Sequence, residues 1–280
     1  MFAKISYTWS IMRASWDVLK RDKTLLLFPL LSGLCCLLVL LSFLVPIFLT
    51  GAWQPPAPGT ARVDTSVYYG ILLLFYLANF FVITFFNTAI ISCAMLRLAG
   101  GSPTLADGFH EAAVRLPQIA GWALLSATVG LILRIIEDRS KWIGRIVAGL
   151  LGMAWTVTSF LVVPVIVAER KGPFGALKGS TVMLRRTWGE QLVGSFSFGV
   201  VFGLLGLPAV ALIVAVAFLG NLALLLLAVL VGVVYWIALS LVQSALQSIF
   251  QAAVYLYSYN GGLAPEGFSP QLLADALRPK

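Results

Sequence analysis

One short stretch gathers the side chains that acid–base or metal chemistry would use: Asp107, His110 and Glu111. On a helix they share a side, because residues three and four apart are neighbours. His110-Glu111 invites comparison with the His-Glu-x-x-His pair of a zinc protease. The second histidine position holds Val114, and His110 is the only histidine of the chain. That motif is therefore absent. The three residues offer at most a weak cation site. The plainer reading is a helix cap, Thr104 with Asp107 three residues on, followed by a solvated polar face. No G-x-x-x-x-G-K-[ST] and no G-x-S-x-G occurs, and Gly100-Gly101-Ser102-Pro103 reads as a loop. Cys35, Cys36 and Cys93 stand inside apolar runs, so neither a disulfide framework nor a metal site is indicated. No cofactor, no metal and no enzymatic activity are expected.

The second pattern is neutral. Gln243, Gln247 and Gln251 recur every fourth residue beside Ser240, Ser244 and Ser248, which puts all six on one side of a helix. They sit in the longest apolar run, Leu222 to about Tyr259. An amide in hydrocarbon without a partner is costly, so the ridge is expected to look inward. It would either bond across helices and fix their register, or line a path for a polar or amphiphilic solute. Asn87 carries the same two readings.

The scaffold for these residues follows from composition. The 280 residues are 60% hydrophobic and 11% charged, with a mean hydropathy of +0.97. A water-soluble core cannot hide that much apolar surface at this length. Six runs are expected to span a bilayer, over about 24–50, 67–98, 118–136, 142–168, 191–219 and 222–257. Pro55, Pro56, Pro58 and Gly59 mark a loop between the first two, and Gly220-Asn221 a tight turn between the last two. The first run is too long for a cleaved leader and lacks a small-x-small site. Gly144, Ala148 and Gly152 in the fourth run, and Gly199 and Gly203 in the fifth, are spaced to let helices approach closely, within the chain before between copies. No ionisable side chain falls near the middle of a run. Arg134 and Arg145 are near enough to the charged 137–141 turn to reach the surface.

Three further segments, about 3–21, 104–116 and 173–188, have apolar residues at helical spacing among charges. In the first, Ile5, Trp9, Met12, Trp16 and Leu19 share a face, with Lys4, Arg13, Asp17 and Lys20 around the other. In the second the apolar face is Leu105, Phe109, Ala112 and Leu116. In the third it is Phe174, Leu177, Thr181, Leu184 and Trp188. The expected fold is all-α: one polytopic membrane domain over 1–280, six spans in three hairpins, each hairpin preceded by a cytoplasmic amphipathic helix. Fourteen of the nineteen Lys and Arg residues fall on the side of the termini, which places both termini in the cytoplasm. The formal charge of +8 then meets anionic lipid rather than nucleic acid.

Three stretches carry a resemblance. They are Ser10 to Leu31 with Lys20-Arg21-Asp22-Lys23 and Phe28-Pro29, Glu169 to Trp188 with Ala176-Leu177-Lys178, and the closing Ile249 to Gly261 followed by Gly267-Phe-Ser-Pro-Gln-Leu-Leu. Together they resemble a family of uncharacterised prokaryotic six-span integral membrane proteins. The resemblance implies a six-helix membrane domain of a bacterium or archaeon and transfers no activity. The expectation is a non-enzymatic component of the cytoplasmic (inner) membrane that organises or binds lipid and partners, itself or another membrane protein among them. Arg13, Lys20, Arg21, Lys178, Arg185 and Arg186 would meet anionic headgroups, with Trp9, Trp16 and Trp188 at the boundary. The alternative is a channel or uncoupled carrier along the glutamine ridge.

Overall fold

Long runs of Leu, Val, Ile and Ala offer the backbone no polar partner but itself, and an α-helix satisfies every interior N–H and C=O within one segment. The computed structural model describes residues 2–49, 65–139, 143–186, 191–269 and 273, and no strand occurs among them. In chain order the helices are α1 (Phe2–Arg21), a 3-10 turn (Lys23–Leu26), α2 (Leu27–Leu49), α3 (Thr65–Leu98) and α4 (Leu105–Val114). There follow α5 (Leu116–Arg139), α6 (Ile143–Ser159), α7 (Val162–Glu169), α8 (Pro173–Arg186), α9 (Gln191–Ala217) and α10 (Leu222–Tyr259). Among the described residues, six stretches are long and apolar enough to cross a membrane: Lys23–Leu49, Ser66–Leu98, Leu116–Asp138, Ile143–Glu169, Phe198–Ala217 and Leu222–Tyr259. The expected loop at 55–59 lies outside the described residues.

The chain divides into two compact units, one of Met1–Pro29, Cys93–Leu105 and Leu184–Lys280, the other of Leu30–Ser92 and Ala106–Met183. In the first unit α9 and α10 pack along each other and α1 packs on both. The α9–α10 seam closes where side chains are smallest. A Cβ added to Gly232 would come within 2.9 Å of Ile213 Cδ1, and one on Gly206 within 3.2 Å of Trp236 Nε1. Pro208 gives no N–H to the turn before it, and its ring crowds the carbonyls there. Two of that turn's carbonyls accept bonds from α10: Tyr235 Oη donates to Leu205 O (2.7 Å) and Trp236 Nε1 to Gly206 O (3.2 Å). Gly199 and Gly203, expected as packing residues, face outward with nothing within 4 Å of a Cβ at either position. The seam lies a turn and more further along α9, where glycine stands opposite a bulky partner.

In the second unit α5 packs on α6. Trp122 and Trp155 stack with centroids 5.4 Å apart, and a Cβ on Gly152 would stand 3.7 Å from Leu133 Cδ1. Gly144 is buried and Ala148 half-buried on the same helix. The fourth span, expected as one helix, is interrupted at Phe160 and Leu161. Pro164, in the first turn of α7, lacks the N–H that a continuous helix would bond to Phe160 O. Ser180 of α8, fully buried, bridges the break: its hydroxyl donates to Thr158 O (2.7 Å) and accepts from Leu161 N (3.2 Å).

α8 lies against α7 and α5 through two further close approaches. A Cβ on Gly179 would be 3.2 Å from Val165 Cγ1, and one on Gly121 3.1 Å from Pro173 Cγ. Its buried face is Ala176, Ser180 and Leu184, whereas Phe174, expected on the apolar face, is 73% exposed. Ala176 and Ser180 suit that face because α7 approaches closely there, Ser180 reaching its backbone directly. Around the α4–α5 junction Ala112, of the expected apolar face, is buried, as is Arg115, and Leu116 of the same face is exposed.

Candidate functional site

The 20 residues of α1 divide their apolar side chains between two faces. Ile11, Met12, Ser15, Val18 and Leu19 are buried, a stripe at helical spacing that packs on α9 and α10. Trp9 is 61% exposed and Trp16 partly so, and they share the outward side with Arg13, Asp17 and Lys20. This departs from the expected face, in which Trp9 and Trp16 pointed the same way as Met12 and Leu19. The physical reason is size. The small side chain of Ser15 fits the inner seam, and two indoles do not.

The outward side of α1 forms one rim of a cavity of about 630 Å³. Met12, Phe202 and Leu246, all buried, lie at its base, with Leu205, Leu239 and Val242 along the wall. Trp9, Trp16 and Tyr235 form the aromatic rim, and Arg13, Asp17 and Lys20 supply its charge. Lys20 Nζ lies 5.7 Å from the centre of the Trp16 ring and 3.9 Å from an Asp17 carboxylate oxygen. Both groups are exposed, so that pair is loose and screened. Arg13 makes no ion pair among the described residues. Two cations against one anion leave the rim positive. Tyr235 is not a free donor, since its hydroxyl already bonds Leu205 O.

The base of α1 is held by the C-terminal segment. Arg21 Nη1 donates to Glu266 Oε1 (2.9 Å), Glu266 N donates to Leu98 O (3.0 Å), and a Cβ on Gly267 would meet Val18 Cγ2 at 3.1 Å. Gly267 has φ of +89°, a conformation that side chains disfavour. Arg21 is thus engaged by a carboxylate instead of standing free toward a headgroup.

Lys178 is exposed on α8. Trp188 lies outside the described residues, as do the side chains of Arg185 and Arg186. The glutamine ridge is not the inward face of α10. Ala245, Leu246, Ile249, Phe250 and Ala253 hold that position, fully or almost fully buried, and Gln243, Gln247 and Gln251 flank them half-exposed. Packing density selects the apolar side because amides fill a close seam poorly. The ridge hydroxyls bond their own helix: Ser240 Oγ to Ile237 O (2.8 Å) and Ser248 Oγ to Ser244 O (2.9 Å). Ser244 is half-buried. None of the six ridge residues lines the cavity beside α1. Asn87 is half-buried in α3.

Within the Asp107, His110, Glu111 group, Glu111 is engaged by a residue that the motif search did not single out. Arg115, 5% exposed, donates from Nε (3.0 Å) and Nη2 (2.6 Å) to Val167 O, and pairs with the Glu111 carboxylate. Its guanidinium caps one carbonyl in the last turn of α7, which the helix cannot satisfy itself. The signal lay in position: one arginine at the junction of two helices, among apolar neighbours. Asp107 and His110 are exposed, and no three His, Cys, Asp or Glu side chains come together as metal ligands among the described residues.

Residues 66–264 match the sequence family described as Family of unknown function (DUF6159). The chain belongs to that family. The α9–α10 wall of the cavity falls within the matched stretch and the α1 rim precedes it. No curated protein sequence matches the chain.

Proposed function

We propose that this member of the family is a non-enzymatic membrane component that binds lipid, with its three short helices on the cytoplasmic leaflet of a prokaryotic inner membrane. Six spans pair as three hairpins in this reading, and both termini are cytoplasmic, where Lys and Arg are concentrated. One observation carries the reading: α1 turns Trp9, Arg13, Trp16 and Lys20 outward beside an apolar cavity. Indoles favour the headgroup boundary and cations favour anionic lipid. The burial of Arg115 and Ser180 against backbone fits the same passive role, since those polar groups are used up in holding helix ends.

The test is association of the purified, reconstituted protein with phosphatidylglycerol against phosphatidylcholine. Reversing Arg13 and Lys20 to Glu should remove the preference for the anionic lipid, by about 1 kcal/mol for each charge neutralised and more for reversal. An unchanged preference would defeat the reading. A carrier would need a wet path along Gln243, Gln247 and Gln251, and their position on the flank of α10 gives that alternative no support.

A further inference from the structure

We infer that the cavity beside α1 is a seat for a single anionic phospholipid, one acyl chain lying between α1, α9 and α10 and the phosphate held at Arg13 and Lys20. This rests on the lipid-binding reading above and narrows it from a general basic surface to one built site.

Shape and chemistry agree on the occupant. At about 630 Å³ the cavity is in the range of small-molecule sites, roughly 300–1,000 Å³. Its base and wall are hydrocarbon, from Phe202, Leu205, Leu239 and Val242. Charge appears only at the rim and only on α1. A soluble anion would leave the apolar wall unused, and a neutral lipid would leave Arg13 without a partner. The molecule that matches both halves is an amphiphile with a negative head.

Where its selectivity arises can be decided on physical grounds. An acyl chain leaving the bilayer for this cavity exchanges one hydrocarbon environment for another, so it gains little hydrophobic free energy. Preference among lipids must then come from the head. Arg13 offers a planar fork suited to phosphate, and Lys20 adds a second charge about two turns along the same face. Asp17 offsets part of it, which leaves about a tenfold preference for an anionic over a zwitterionic head. Retention of the bound lipid, by contrast, would come from the chain lying between three helices.

The experiment is native mass spectrometry of the full-length protein after reconstitution in vesicles of equal phosphatidylglycerol and phosphatidylcholine. The expected result is one tightly retained phosphatidylglycerol, favoured about tenfold. Ala238→Trp, on the cavity wall, should reduce that retained lipid about tenfold, an estimate from steric exclusion of the chain. Leu227→Trp, on the same helix but outside the cavity, should leave it unchanged. Arg13→Gln with Lys20→Gln should abolish the head preference while a lipid still binds. Full retention in Ala238→Trp, with the head preference intact, would overturn the seat and spare the general reading. No anionic preference in the unaltered protein would sink both. Loss of all retained lipid together with cross-linking of α1 to a second copy would assign the cavity to self-association and overturn the proposal.

Discussion

Two short helices that look alike in sequence treat their charges in opposite ways. α1 keeps its arginine and lysine outside, around a cavity, and buries Ile11, Val18 and Leu19. The α4–α5 junction draws Arg115 inside, against Val167 O and Glu111, and leaves Leu116 exposed. Both began as basic residues beside an apolar stripe. The difference is what stands opposite. α1 packs against interior turns of α9 and α10, not against a helix end, so a cation on it meets no row of terminal carbonyls. The junction faces the end of α7, where carbonyls lack donors and a guanidinium fits. A basic residue beside an apolar stripe is therefore either left to the surroundings or taken up as a cap for the fold, and the neighbouring backbone decides which.

Arg115→Ala leaves the buried Val167 O and the half-exposed Glu111 without their partner and should cost about 2–3 kcal/mol. An SDS-titration midpoint in mixed micelles reads this, and a change no larger than that of Arg13→Ala would erase the distinction between the two regions. Ser180→Ala comes next. Removing the hydroxyl strands Thr158 O and Leu161 N at the helix break, at about 1–3 kcal/mol, and hydrogen exchange should rise first at 160–162.

Glycine replacements sharpen the contrast between a packed seam and an open face. Gly232→Leu should destabilise by about 1–3 kcal/mol through overpacking against Ile213, whereas Gly199→Leu and Gly203→Leu should stay within about 0.5 kcal/mol. Equal effects at all three would place the α9–α10 seam elsewhere. Tyr235→Phe removes one bond to Leu205 O and should cost about 0.6 kcal/mol, the average for such a bond in lipid. Smallest is Arg21→Gln. Its pair with Glu266 is more than half exposed, so under about 1 kcal/mol is expected, less in high salt.

The spans were legible because length and hydropathy are local properties. The expected bounds 67–98 and 222–257 lie within a residue or two of Ser66–Leu98 and Leu222–Tyr259. The faces were less so. The outward turn of Trp9 and Trp16 depends on how little room remains between α1 and α10, and periodicity alone cannot measure room. The Gly-x-x-x-Gly pair at 199 and 203 drew attention by spacing, yet Gly206 and Gly232 carry the contact because bulky Trp236 and Ile213 stand opposite.

What the sequence settled by itself is family membership and the material, six apolar helices without a charge near their middles, the latter set by the cost of an unpaired polar group in hydrocarbon. What tertiary structure alone decided is the use of each polar side chain. Arg115 and Ser180 became partners for broken backbone, Gln243, Gln247 and Gln251 were left on a flank, and Arg13 and Lys20 came to rim a cavity. The reason is that hydrogen-bond demand arises where helices end, break or approach, and those places are fixed only when the helices pack.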